Sequence, residues 1–177
     1  MKTTQNFFEL FGLPVNFEVD TQQLSERYRD LQRAVHPDKF ANASDRERRL
    51  AVEKAAQINE AFQTLKSPMN RARYMLELRG VDFNSERDTH LDPMFLMEQM
   101  ELREALGEVK SASDPVTALG NSMDDIRKRH KTMIAELSEL LNDESKIDEG
   151  KQAVQKLQFL NKLQQEAEAI EEELVDF

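Results

Sequence analysis

His36-Pro37-Asp38-Lys39, lying between two segments patterned as helices, is the stretch that decides how the first half of this chain folds. Proline at 37 disfavours the α region for His36 and fixes its own φ, so a helix arriving from the N-terminal side must stop at about Val35 or His36. Asp38 is then presented on a stiff loop as an acceptor-only carboxylate, suited to a bidentate bond from a guanidinium on another molecule. His36 offers a polar ring beside it. Such a loop is a docking element. As an acid–base pair, His36 and Asp38 are poor candidates, because no nucleophile or ligand set stands near them in the sequence.

The flanks on either side carry helical periodicity. Upstream, Asp20 is a natural N-cap, and Leu24, Tyr28, Leu31 and Val35 recur as one apolar stripe with Arg29 and Arg33 on the opposite face. Downstream, Ser44-Asp45-Arg46-Glu47 has the form of a capping box. It opens a helix with Leu50, Ala51, Ala55, Ile58, Phe62 and Leu65 available for burial, and Ser67-Pro68 ends that helix and starts another. The pattern predicts an antiparallel helical hairpin closed by the His-Pro-Asp loop.

The rest of the composition points the same way. The chain has 177 residues with only 5 Gly, 5 Pro and no Trp, so turn formers are scarce and helix formers abundant. An all-α protein of two small domains is expected. No apolar run approaches the length of a membrane span and no basic-then-apolar start resembles a secretory signal, so a cytoplasmic protein with no membrane partner is expected. There is no cysteine, and His36, His90 and His130 are scattered, which gives no ligand set for a resident metal. No glycine-rich phosphate loop is present either, so any ATPase must belong to a partner.

Charge is distributed unevenly. Residues 1–91 hold 14 Lys or Arg and 14 Asp or Glu, whereas residues 92–177 hold 10 and 20, so the net charge of −10 resides entirely in the second half. Phosphates would be repelled there, which argues against nucleic acid and favours protein partners or a basic surface. The run Glu171-Glu172-Glu173 reads as a solvated helix face.

Residues 80–91 are polar and aperiodic, with Val81 and Phe83 apolar enough to pin them, and Asp92-Pro93 offers an N-cap with proline at the first helical position. The expected organisation is a domain at 1–79, a linker at 80–91 and a second domain at 92–177. Three helices are predicted in the second domain, at about 93–111, 115–142 and 146–175. In the middle one Val116, Leu119, Met123, Ile126, His130, Met133, Leu137 and Leu140 form a seam, as do Leu160, Leu163, Ala167, Ile170 and Leu174 in the last. His130 lies on its seam and is expected to be a hydrogen-bonded core or edge histidine.

The first of these helices differs from the others. Phe95, Leu102, Leu106 and Val109 make one apolar face, while Leu96, Met97 and Met100, bordered by Glu101 and Glu104, make a second face rotated well over a quarter turn away. A helix in a three-helix bundle has one inward face. The second is either a partner surface, for which methionine is well suited, or additional core. A dimer hiding Leu96 and Met100 is a further possibility.

Two resemblances bear on these readings. The hairpin with its His-Pro-Asp loop, preceded by Asn6-Phe7-Phe8-Glu9-Leu10-Phe11-Gly12-Leu13 and followed by Ile58-Asn59-Glu60-Ala61-Phe62, Leu65, Pro68, Arg71, Ala72 and Tyr74, resembles the J domain of DnaJ-type co-chaperones over residues 1 to about 79. It departs from the common pattern at Val35, where an aromatic is usual, and at Met75-Leu76-Glu77-Leu78, and both departures favour a specialised branch. The runs from Phe95 to Glu104 and from Lys156 to Leu163 resemble the C-terminal domain of the HscB family, the J-type co-chaperones of iron–sulfur cluster assembly. Phe40 after Lys39 is also usual in that family. A start directly at the J domain, without a cysteine-rich metal site, resembles the bacterial form.

The family resemblance implies an adaptor that is not an enzyme and needs no cofactor. His36, Pro37, Asp38 and Lys39, with Arg29 and Arg33, would engage the specialised heat-shock chaperone HscA and stimulate its ATPase. Leu96, Met97, Met100, Glu101, Glu104 and Phe159 would hold the cluster scaffold IscU and deliver it to the chaperone. Cluster ligands would belong to the scaffold. The alternative is a general J-domain co-chaperone for unfolded clients.

Overall fold

The computed structural model describes residues 5–84 and 92–176, and among these every regular element is helical. The chain divides into two compact units, Met1–Leu78 and Arg79–Phe177.

The first unit consists of α1 (Phe7–Leu10), α2 (Thr21–Ala34), α3 (Asp45–Lys66) and α4 (Pro68–Leu78). The expected caps are in place. Asp20 Oδ1 accepts the Gln22 and Gln23 amides at 3.0 and 3.2 Å, and Ser44 Oγ accepts the Glu47 amide at 3.2 Å. Ser67 is extended, as a residue before proline must be, and this separates α3 from α4. Phe8, Leu24, Ile58, Leu65 and Leu76 form the fully buried centre. Leu50 does not join it. Ala51, Ile58 and Leu65 share a heptad face, and Leu50, ~100° around the helix from Ala51, is left 53% exposed.

Side chains fix the register of the hairpin. The Tyr28 ring stacks on Phe62 with centroids 4.1 Å apart, its hydroxyl hydrogen-bonds the Asn59 side chain, and Gln32 Nε2 donates to Asn59 Oδ1 at 2.8 Å. One α3 amide thus holds two successive turns of α2. Asn59→Ala is expected to lower stability by about 1 kcal/mol, read as a shift in the urea midpoint at unchanged slope.

The short α1 is held from both ends. The Phe7 amide donates to Tyr74 Oη at 2.9 Å under a 4.5 Å ring stack, and Arg27 Nη1 donates to the Phe11 and Gly12 carbonyls at 2.5 and 2.6 Å. Gly12 ends this segment at φ +63°, where a Cβ would come within 2.9 Å of Arg27 Nη1. Arg71 is buried, donates to the Leu65 carbonyl at 2.7 Å and lies over the Phe17 ring. Burial pushes its pKa down, an effect that Glu18 opposes.

The second unit is a three-helix bundle of α5 (Pro93–Glu108), α6 (Pro115–Leu141) and α7 (Ile147–Val175), with 3-10 turns at Val109–Ser111 and Glu144–Lys146. Asp92 and Asp114 cap α5 and α6, accepting the Met94 and Thr117 amides at 3.0 and 3.2 Å, each with proline at the first helical position. Ile126 and Leu137 of α6 pack with Leu157, Leu160, Leu163 and Ala167 of α7, and Phe95, Leu102 and Leu106 of α5 complete the core. The α6 seam needs two corrections. Val116, in the first helical turn where packing has not yet closed over it, is 70% exposed, and Leu141, next to Leu140, is the buried residue at the far end. Ile170 and Leu174 are half-buried near the end of α7. Arg79 donates to the Leu141 carbonyl at 2.7 Å, covering the last turn of α6.

His130 is half-buried and hydrogen-bonded with Asn161; burial pushes its pKa below the ordinary 6.5, and that bond partly offsets the effect. The folded state therefore disfavours its charged form. Above 6.5 both states are neutral there; as pH falls below that value the unfolded chain takes up the proton first, and stability is lost down to the lowered folded value. His130→Gln should flatten this part of the curve of thermal midpoint against pH.

Val81 and Phe83 are half-buried, while residues 85–91 of the expected linker, His90 among them, lie outside the described residues. Among the described residues no helix is long and apolar enough to cross a membrane.

Candidate functional site

The His-Pro-Asp stretch is more ordered than a plain loop. Helix α2 ends at Ala34 with Val35 as its C-cap. His36 takes the extended conformation that Pro37 demands, and Pro37–Phe40 closes as a 3-10 turn. His36 caps that turn: its Nδ1 accepts the Asp38 amide at 3.3 Å, and its carbonyl accepts the Lys39 amide at 3.0 Å. In the neutral ring this leaves the proton on Nε2. His36 is thus a structural cap as well as a contact candidate, a role the sequence reading did not assign.

The Asp38 side chain is 92% exposed, with Oδ2 3.5 Å from His36 Nδ1. Lys39, Arg29 and Arg33 are exposed too. Arg33 pairs with Asp30 at 3.5 Å, a solvent-exposed bond of little energetic weight, and Arg29 Nε reaches the Ser25 carbonyl at 3.4 Å. The turn therefore presents a carboxylate, a ring and cations outward from one rigid corner. The Tyr28–Asn59–Gln32 contacts that hold this corner require two helices in register, and only Asn59's place in the J-domain resemblance hinted at them.

In the second unit α5 has apolar residues on opposite sides. Phe95, Leu102 and Leu106 are buried, whereas Leu96, Met97 and Met100 are 41%, 63% and 71% exposed, flanked by exposed Glu101 and Glu104. At ~100° per residue the centres of the two faces lie about half a turn apart. Met94, 70% exposed, extends the outer face and escaped the sequence reading because it sits in the capping turn. Phe159 is placed differently from the rest: it is half-buried on α7, its ring tilted against Phe95 at 6.0 Å, with Lys156 over the other ring at 5.5 Å. It belongs to the margin of the core as much as to the surface.

A helical hairpin closed by a rigid His-Pro-Asp turn, with a separate bundle as second unit, defines a J-domain co-chaperone. Residues 6–74 match the DnaJ domain family, and residues 91–168 match the family described as the HSCB C-terminal oligomerisation domain. A co-chaperone protein HscB homolog of Aliivibrio fischeri is 50% identical over 170 residues, covering 96% of this chain and 99% of that protein. Among solved structures, the chaperone HscB from Vibrio cholerae superposes with a TM-score of 0.87 at 45% identity, covering 96% of this chain and 99% of that one. Human co-chaperone protein HscB gives 0.87 at 27% identity, covering 97% and 84%. The chain belongs to the HscB family of co-chaperones.

Proposed function

We propose that the chain is an adaptor in iron–sulfur cluster assembly, with its domains at 1–79 and 92–177 joined by the linker 80–91. The His36-Pro37-Asp38-Lys39 turn, supported by Arg29 and Arg33, engages an HscA-type chaperone and raises its ATPase activity. Leu96, Met97 and Met100, with Glu101, Glu104 and Phe159, hold an IscU-type scaffold protein. The adaptor works in the cytoplasm and need not ligate the cluster, which is cargo of the scaffold.

The outer face of α5 is the observation that carries this reading. Three large apolar side chains remain in solvent beside two carboxylates, on a helix whose core face is already satisfied. Tethering raises the scaffold's local concentration at the chaperone without new contacts between those two. Stimulation further requires that the turn bind the hydrolysis-competent chaperone better than its resting form, since only differential affinity shifts a population.

Steady-state phosphate release by an HscA-type chaperone, with this protein and an IscU-type scaffold added singly and together, tests the reading. Synergy between the two additions is expected. Stimulation indifferent to the scaffold would make the protein a general co-chaperone for unfolded clients.

A further inference from the structure

At the far end of the bundle, the start of α6 and the end of α7 enclose an open groove of about 270 Å³. Val116, Gly120 and Met123 form one wall, Leu174 and Val175 the other, and Glu171 is the charged lining residue. Val116 is 70% and Val175 77% exposed, so apolar surface continues over both lips. Gly120 makes the notch: a Cβ built there meets no heavy atom within 4 Å.

The charge around the groove is one-sided. From Pro115 to Ile126 the only ionisable residues are Asp124 and Asp125, and from Glu166 to Val175 they are Glu166, Glu168, Glu171, Glu172 and Glu173. Three of these carboxylates already have a cation, Asp124 from Arg127 at 3.0 Å, Glu166 from Arg103 at 3.9 Å and Glu173 from Lys110, so Asp125, Glu168, Glu171 and Glu172 set the sign of the surface. A second copy of the chain would bring the same carboxylates face to face, in the half of the molecule that carries all of its net charge. A partner with apolar anchors and a basic border meets both features.

We propose that this groove docks a basic amphipathic helix of a partner protein, its aliphatic side chains entering the Gly120 notch and its lysines or arginines facing the α7 carboxylates. The site is separate from the outer face of α5. Along α7, Phe159 and Leu174 are 15 residues apart, or ~22 Å at the helical rise, so both surfaces can be occupied together.

The test uses the full chain and a labelled helical peptide with leucines at i, i+3, i+4 and i+7 bordered by lysines, against the same peptide with glutamate for lysine. Fluorescence anisotropy should give saturable binding of the lysine peptide, weakened by added salt and at least about tenfold tighter than the glutamate peptide. Gly120→Leu fills the notch with a better helix former and should cut affinity on the order of tenfold with unchanged circular dichroism. Val116→Ala, which removes part of one lip, should weaken it less. Equal binding of both peptides, or full affinity in Gly120→Leu, overturns the proposal. So does a concentration-dependent dimer in sedimentation that Gly120→Leu abolishes, since the occupant would then be a second copy.

Discussion

Asp38→Asn is expected to leave the protein folded and remove nearly all of its stimulation of the chaperone ATPase. The side chain is 92% exposed, and the turn is held by the His36 ring and the Asp38 backbone amide rather than by the carboxylate. Thermal unfolding should therefore superimpose on wild type within about 0.5 kcal/mol. At the interface the substitution keeps size and shape but replaces a charge-assisted, bidentate acceptor with a neutral amide. Removing one member of a desolvated charge pair costs about 3 kcal/mol, on the order of a hundredfold in the coupled step. Phosphate release under single-turnover conditions reads it directly, and stimulation equal to wild type would remove Asp38 from the role given to it.

The second large effect concerns scaffold binding. Leu96→Ala, Met97→Ala and Met100→Ala combined should lose about 4 kcal/mol of affinity for an IscU-type scaffold, approaching a thousandfold, because large apolar anchors at an interface centre carry most of its energy. The fold should not notice. All three side chains face solvent, and alanine is the better helix former. Basal stimulation by the J domain should persist, which separates the two working surfaces. Calorimetry that returned wild-type affinity would place the scaffold elsewhere. Phe159→Ala is a poorer probe, since it also removes the ring packed on Phe95 and mixes lost binding with lost stability.

Local rules made much of this legible in advance. Proline's constraint on its neighbour located the end of α2, capping residues located the starts of α2, α3 and α5, and scarce turn formers beside abundant helix formers pointed to an all-α chain. The outer face of α5 could be read because its residues cannot turn inward together with Phe95 and Leu102. What escaped depended on partners distant in sequence. The Asn59 amide acquires its meaning only when Tyr28 and Gln32 arrive from another helix. Leu50 and Val116 carry apolar side chains at permissible spacing, yet the packed elements leave both largely in solvent. The cap that His36 gives its own turn depends on ring orientation, which residue type alone does not determine.

The opposed apolar faces of α5 also pose a problem of roll. A helix greasy on both sides gains from packing whichever way it is turned, so burial alone would accept Met97 inward and Phe95 outward. Its polar edges break the tie. Glu98 meets Arg129 of α6 at 2.8 Å, Arg103 reaches Glu166 of α7 at 3.9 Å, and Lys156 of α7 lies 3.9 Å from Asp92 at the cap. Turned by half a revolution, Glu98 and Arg103 would part from their mates and meet solvent instead. The Glu98–Arg129 and Arg103–Glu166 pairs are too exposed to add much to stability. Together they act as a key, letting a helix keep a sticky outer side without that side being drawn into its own core.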